Sequence, residues 1–589
     1  MWRWDRLAAL VVVGLLAPLA PVAADFPDGF NHPEVSWLEL ETDHFLLIYG
    51  EGLEPTARLS ADLLEAAHER LTAELDVVPG AKTTVVLTDF DDVGFNNFAR
   101  RMQHVIYISN PILNQARVER EQWLAHLLPH EYIHVLNGWA LRRAGRAVGP
   151  LTEWAGMELQ PQWFTEGLAE YFAGHGERRE GQFILQAAQQ NQLLYGGKLD
   201  IADLRFDVIE TSVVYKQGES MCLYLAEKYG EDIFKRILGL YGKAPQFDIA
   251  FRVATGQLVE EFYRDWLQRI QARAAARPAD DPVLASTTAY PTPLEAALGA
   301  RVSPDGKLIA VYGVKDWEEP IPGLYLMNAD GSHFHRIAGN LDLYDSWKFS
   351  WSADSRYLLY TGRIRGGSGA VLNGIFVYDT VKEKSWKVDS KAQRVGEPEL
   401  SPDGKLILFT TYLNERTITA TMTTDGANVR YLTADIPGNA FSPTWSPDGQ
   451  SVAFSLADAN GTDLAVIGRD GSGLRRLTND PWPDQYPDWS PDGQTIAFVS
   501  FRQPGEERTD AAVSAEAQGL AVAATNLYTI PAAGGELTQL TEATSGGAYY
   551  PSWTPDGSGL AFSLFQIRNA TVRRLEIAAA RRAAAERPA

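Results

Sequence analysis

Apolar positions along this chain follow two different periods, and the change between them divides it into two halves. In the first half, SWLELETDHFLLIYG (36–50), TTVVLTDF (83–90) and HVIYIS (104–109) read as strands. Between the first two, PTARLSADLLEAAHERLTAEL (55–75) places apolar residues every three or four positions and predicts an amphipathic helix. From about Val118 to Ala275 the pattern is mostly helical, interrupted at GRAVGPLTEWAGMELQPQ (145–162) and YGGKLDIADLRFD (195–207). The first half is therefore expected to be α+β. QARAAARPADDPVLASTTAYPTP (271–293) has neither period and reads as a linker, placed at 276–298.

Beyond it the chain repeats itself. RVSPDGKLIAVY, SWSADSRYLLYT, ELSPDGKLILFT, TWSPDGQSVAFS, DWSPDGQTIAFVS and SWTPDGSGLAFS begin their turns at Ser303, Ser352, Ser401, Ser446, Ser490 and Thr554, in steps of 49, 49, 45, 44 and 64 residues. Repeats of this length built from short strands, with no helical segment between them, predict propeller blades. Each unit opens on a turn in which Pro fixes φ and Asp-Gly closes the loop. Pieces such as GLYLMNADGSHFHRIA and DLAVIGRDGSGLRRLT add two more strands around a hairpin. Six units predict six blades, and the stretch near Ser286 to Thr292 is a candidate for the missing last strand, closing the ring between the two chain ends. Ala353, Asp354 and Ser355 replace Pro-Asp-Gly in the second unit and should weaken its turn without removing the strand. The long fifth step holds a polar, alanine-rich insertion, FRQPGEERTDAAVSAEAQGLAVAATN (501–526). These repeats resemble the β-propeller repeats of TolB-like proteins, periplasmic partners of an outer-membrane transport and integrity system. The resemblance covers about 280 residues and implies the fold, not the activity.

Composition narrows the partners. At 589 residues the chain exceeds what one hydrophobic core serves, and 45% hydrophobic with 11% aromatic residues belong to folded protein. A formal charge of −22 disfavours nucleic acid, because a phosphate backbone is bound by surplus Lys and Arg. MWRWDRLAALVVVGLLAPLAPVAAD sets Arg3 and Arg6 before an apolar run that ends in small residues near Ala24, the layout of a signal peptide over 1–24. Pro18 and Pro21 cut the run below the roughly 20 residues of a membrane span. The mature chain is thus expected to lack a transmembrane segment and to be exported, to the bacterial periplasm or beyond. Cys222, the single cysteine, cannot form an internal disulfide and reads as a core residue.

The chemistry lies in LLPHEYIHVLN (127–137). On a helix, residues four apart share a face, so His130 and His134 can offer two imidazoles to one ion, while Glu131 lies in a neighbouring sector. Neutral imidazoles suit Zn²⁺, and a glutamate there is placed to take a proton from water. A catalytic zinc needs a third protein ligand. The candidate is Glu166 in PQWFTEGLAEYFAG (161–174), 32 residues after His134, on a helix that Pro161 can open. Glu170, one turn further, could accept the outer N–H of a zinc-bound histidine. His126 lies one turn before His130, but three histidines on successive turns diverge along the axis, and Pro129 can mark the first turn of the motif helix with His126 outside it. Tyr171 and His175 read as structural.

HEYIH followed by WFTEGLAEY resembles the gluzincin metallopeptidases, the aminopeptidase-N-like and related MA-like peptidases, over roughly residues 34 to 270. The preceding WLELETDHF (37–45) and HVIYIS strands and the following VVYKQGESMCLYLAEKYGEDIF match the same pattern. The resemblance implies that His130, His134 and Glu166 bind Zn²⁺ and that Glu131 is the general base. Tyr215 is a candidate for stabilising an oxyanion, as a tyrosine does in the aminopeptidase-like relatives, or for simple packing. The amine-binding G-x-M-E-N motif of aminopeptidases is not found, so amino-terminal trimming is not implied.

The sequence thus predicts a multidomain chain. An α+β gluzincin-like metallopeptidase domain spans 25–275, a linker 276–298, an all-β six-bladed propeller 299–578 and a C-terminal tail 579–589. The expected function is exported, zinc-dependent hydrolysis of peptide bonds by metal-activated water with a glutamate base, the propeller binding the protein or peptide substrate or an envelope partner. The rival reading is a non-catalytic envelope adaptor with a structural or vestigial zinc site. Glu131 speaks against it, since a structural site needs no base.

Overall fold

A computed structural model of the protein describes residues 35–89, 98–100, 105–109, 120–148, 160–173, 182–189, 193, 208–241, 246–276, 281–316, 322–339, 341, 348–365, 371–392, 394–502, 525–543, 546–566 and 569–586. The expected signal peptide, the insertion between 503 and 524, and His175 lie outside them.

The first half is built on a five-stranded mixed sheet of β1 (Trp37–Glu41), β2 (Phe45–Gly50), β3 (Thr83–Thr88), β4 (Phe98–Arg100) and β5 (Val105–Ser109), in the order β1-β2-β3-β5-β4. β2, β3 and β5 run parallel and the two outer strands antiparallel. Parallel neighbours need a crossover, and the helix Glu54–Leu75 supplies it between β2 and β3. Its buried Ala57, Ala61, Leu64, Leu71 and Leu75 form the stripe that lies on the core, and Asp76 ends it in the left-handed region at φ 55°.

Seven helices among the described residues follow: Arg120–Val148, Gln162–Ala173, Gln182–Gln189, Val208–Tyr229, Ile233–Leu240, Phe247–Thr255 and Val259–Ala275. They share one continuous core with the sheet, centred on Trp163, Phe164, Phe247, Phe251 and Phe262. Phe164 packs at 4.7 Å from Phe247 and 5.6 Å from Trp163, within the range of favourable ring contacts. The first helix corrects one expectation. Pro129 lies inside Arg120–Val148 and does not open it, so His126 is helical too. Proline here removes a single bond to the Ala125 carbonyl, and the buried Trp123, Leu124 and Leu128 hold the turn before it.

The second half consists of antiparallel sheets. Four have four strands each, over 350–387, 396–431, 439–476 and 484–539. A fifth has eight, and it parts into two groups of four at the single pair Ala570–Ala296. In the last group Thr287–Ala289 pairs antiparallel with Asn569–Glu576, so a strand from the start of this half completes the final unit. The arrangement is that of a β-propeller.

Every unit is opened by the same local machine. The Ser or Thr hydroxyl donates to the Asp two residues on, at 2.5–2.7 Å, in all six turns. The same oxygen accepts the N–H five residues later, at the start of the strand. Five turns place glycine at φ of 65–72°, and Ser355 takes the same conformation at 60°, so the second turn is formed despite its altered sequence. Glu397, Ser442, Tyr486 and Tyr550, each four residues before its turn Ser or Thr, take φ of 50–58° at a bulge in the first strand of the last four units.

The two segments between and after the domains are more ordered than the sequence suggested. The expected linker carries a helix, Pro282–Ser286, capped by Asp281 through the Val283 N–H at 2.9 Å, then the strand Thr287–Ala289 and the start of Ala296–Val302. The expected tail is helical over Ile577–Ala585. Val283, Ile577 and Ala580 share one buried cluster with core residues of the last two units, and that burial orders both segments. The two halves of the chain touch where Thr56 Oγ1 donates to Glu415 at 2.9 Å and Arg394 pairs with Asp89 at 3.5 Å.

The turn aspartates give a pH signature. Donation by Thr554 and then by Ser558 holds the Asp556 carboxyl at about 2, below its ordinary 3.8. A depressed folded value means that the carboxylate stabilises the fold at all pH above the ordinary value and loses that contribution as pH falls toward about 2. Asp556→Asn should therefore show a smaller loss of Tm than wild type between about pH 4 and 2. Parallel melting curves of the two proteins over that range would expose a wrong sign.

Candidate metal centre

His130 and His134 lie on one face of the helix Arg120–Val148, with ring centroids 5.0 Å apart. The second helix begins just after Pro161, whose carbonyl accepts the N–H groups of Phe164 and Thr165 at 2.9 and 3.3 Å. One turn in, Glu166 Oε2 lies 3.5 Å from His130 Nε2 and 3.2 Å from His134 Nε2. All three side chains are buried, each at 6% exposure. Ligands about 2.0–2.2 Å from a tetrahedral zinc are about 3.3–3.6 Å from one another. Two nitrogens and one carboxylate oxygen at these separations fit such an ion. Among the described residues no fourth His, Cys, Asp or Glu joins the three.

Two contacts fix how the helices meet. Asn137, three residues after His134, exchanges reciprocal amide bonds with Gln160 at 2.9 and 3.2 Å, and Gln160 also donates to the Tyr241 hydroxyl at 2.6 Å. This buried pair ties the motif helix to the entry of the Glu166 helix. On the other side, a Cβ at Gly167 would stand 2.3 Å from the backbone of Gly218, and one at Gly218 would stand 2.4 Å from the Trp163 carbonyl. The helices Gln162–Ala173 and Val208–Tyr229 thus cross backbone to backbone. Tyr132, between the two histidines, is held to the crossover helix by a 2.6 Å bond to His68 Nδ1.

That crossing brings the third helix to the site. Tyr215, which lies within Val208–Tyr229, places its ring 5.9 Å from that of His130. Lys216 Nζ lies 2.7 Å from Glu170 Oε2 and 3.0 Å from Glu219. Glu170 Oε1 lies 3.1 Å from His130 Nδ1, the contact expected of a carboxylate that orients a ligand histidine. His126 reaches the same oxygen at 3.8 Å and is not grouped with Glu166. Glu131 is buried beside His130 on the motif helix. Tyr171 packs on Phe172 and Phe234, and Cys222 is buried, its thiol pushed up by burial, so both are core residues. The sequence reading missed Lys216; the available signal was a lysine flanked by Val214, Gln217, Gly218 and Ser220, which are buried.

The electrostatics favour a cation. Burial favours neutral His130, yet the carboxylates of Glu166 and Glu170, with Glu131 beyond them, outweigh it and raise the ring to about 10. Burial likewise opposes ionisation of Glu166, and the imidazoles of His134 and His130 hold its carboxyl well below the usual range.

Two family models match parts of the chain. Residues 108–268 match the peptidase M9 (collagenase) family model, and residues 427–509 match that of the TolB beta propeller domain. Among solved structures, TolB of Agrobacterium tumefaciens is 19% identical over 48% of this chain and 90% of its own, with a TM-score of 0.36. TolB of Acinetobacter baumannii is 18% identical over 46% and 64%, with a TM-score of 0.34. The propeller domain of the trilobed protease of Pyrococcus furiosus is 12% identical over 48% and 81%, with a TM-score of 0.32. No curated protein matches the chain.

The glycine crossing makes a sharp prediction. Gly167→Ala should cost about 1–3 kcal/mol by overpacking and should weaken metal binding, because the Glu166 helix must move. Gly404→Ala, where a Cβ meets open space at φ 69°, should cost about 1–2 kcal/mol and leave metal binding unchanged. Calorimetry with zinc titration of both variants separates the two effects.

Proposed function

We propose that the chain is an exported zinc metallopeptidase that hydrolyses peptide bonds in a protein or peptide substrate. The observation that carries this reading is the buried trio in which Glu166 Oε2 lies 3.5 Å from His130 Nε2 and 3.2 Å from His134 Nε2, with a carboxylate, Glu131, next to it in the motif. Three protein ligands leave a position open, as catalytic sites do and closed structural sites do not. The collagenase-type match over 108–268 supports the same chemistry.

His130, His134 and Glu166 would hold Zn²⁺, which when bound supplies a Lewis acid for the carbonyl and for water. Glu131 takes the proton of the attacking water and passes it to the leaving amine. Glu170 holds Nδ1 of His130 so that Nε2 faces the ion. Tyr215 is the candidate donor to the oxyanion, on the strength of its ring beside His130. The repeats form a six-bladed ring: the four four-stranded sheets and the two halves of the eight-stranded one make six units, and Thr287–Ala289 closes the last. It serves as the module that binds substrate or an envelope partner. Export rests on residues 1–24 of the sequence. The adaptor reading has no use for a buried Glu131 beside an open metal position.

Purified wild type should carry about one zinc per chain and cleave peptides of a proteome-derived digest. Glu131→Gln should keep the zinc and lose about 10²–10⁴-fold in rate, and His130→Ala should lose the zinc. Zinc-free wild type whose digest matches that of Glu131→Gln would falsify the peptidase reading.

A further inference from the structure

We infer that Lys216 is a positioning residue of the metal centre: its buried ammonium neutralises Glu170 and so fixes the imidazole of His130 with Nε2 free for the ion. The inference rests on the zinc-peptidase reading and adds to it a residue from a third helix.

Lys216 is 7% exposed and Glu170 2%. A lysine is seldom buried unless paired, and this one has two carboxylate partners, Glu170 at 2.7 Å and Glu219 at 3.0 Å. The two oxygens of Glu170 divide their work. Oε2 faces the ammonium, and Oε1 faces Nδ1 of His130 at 3.1 Å. The carboxylate is therefore a bridge between a permanent cation and a ligand histidine. Accepting at Nδ1 keeps the proton there and leaves the Nε2 lone pair pointing at Glu166 and His134.

Without the ammonium, Glu170 would be a buried anion with only imidazoles around it. Such a group must take up a proton, draw one onto a histidine or turn toward water, and each outcome ends its service to His130. Lys216 also answers a second question. His126, His130 and Glu170 form another group whose atoms are close enough for a metal. With Lys216 against Glu170, the charge a metal would meet there is already balanced, so the ion belongs on the Glu166 side. Because Lys216 is adjacent to Tyr215, the same ion pair sets the register in which that tyrosine approaches His130.

The test is a double-mutant cycle read as zinc affinity by chelator competition, with melting of the zinc-free protein alongside. Lys216→Met should weaken zinc about 10–100-fold, as should Glu170→Gln. The double variant should be no weaker than Glu170→Gln alone, because Lys216 acts only through Glu170. If Lys216→Met does not fold, Lys216→Gln takes its place in the cycle: it keeps a hydrogen-bond donor for Glu170 but not the charge, and should likewise weaken zinc about 10–100-fold. Unchanged zinc affinity in Lys216→Met, or losses that add in the double variant, overturns the assignment and leaves Lys216 a packing residue. Absence of zinc from wild type would instead overturn the peptidase reading beneath it.

Discussion

The contact of Gly167 with Gly218 is the constraint on which the candidate metal centre depends. Two helices whose backbones touch have no room for a side chain at the crossing, and every neighbouring side chain is placed by that fact. Glu166 lies one residue before the contact on one helix, Tyr215 and Lys216 within one turn of it on the other. A methyl group at either glycine would separate the ligand helix from the helix that carries the ammonium. The reciprocal Asn137–Gln160 amides fix the opposite side of the Glu166 helix, so its position is determined from two directions.

Charge at the centre is arranged in an order that burial makes costly to disturb. Glu166 faces both imidazoles, Glu170 stands behind one of them, and Lys216 stands behind Glu170. Glu170 is tolerated as a buried anion because one of its oxygens accepts from Lys216 while the other faces His130. The same order separates roles among glutamates of one sequence neighbourhood. Glu166 and Glu170, one helical turn apart, differ in surroundings: Glu170 meets the Lys216 ammonium, and Glu166 meets the two imidazoles.

The propeller relies on a different economy. Its turns are made from bonds within about six residues, so each unit can be formed locally and repeated. Closure is not local: it brings Thr287–Ala289 to Asn569–Glu576, with Arg573 donating to the Thr287 carbonyl at 2.7 Å and the Leu284 carbonyl at 3.0 Å. Thr287–Ala289 covers part of the edge of Asn569–Glu576 and leaves only a three-residue edge strand in its place, a poor template for pairing with another chain. The Thr56–Glu415 and Asp89–Arg394 contacts then set this ring against the peptidase half through its third unit.

The sequence by itself determined what is periodic or short-range. The six turn repeats, the amphipathic crossover helix and the four-residue spacing of His130 and His134 are local patterns, and hydrophobic period or helical geometry reads them directly. Glu166 was legible because its helix carries a recognisable pattern, and Glu170 because it lies one turn further on the same face. What escaped were features that need a partner distant in the chain. Lys216 looks like any helical lysine until Glu170, 46 residues earlier, is packed on it. Val283 and Ile577 read as linker and tail until they meet in one buried cluster. The bulge residues Glu397, Ser442, Tyr486 and Tyr550 share a backbone conformation but no side-chain type, so the repeat is invisible there. Pro129 misled because a helix end was inferred from its missing N–H, whereas burial of the surrounding turns carries the helix through. A sequence fixes local conformational preference, but burial and charge compensation exist only between residues that the fold brings together.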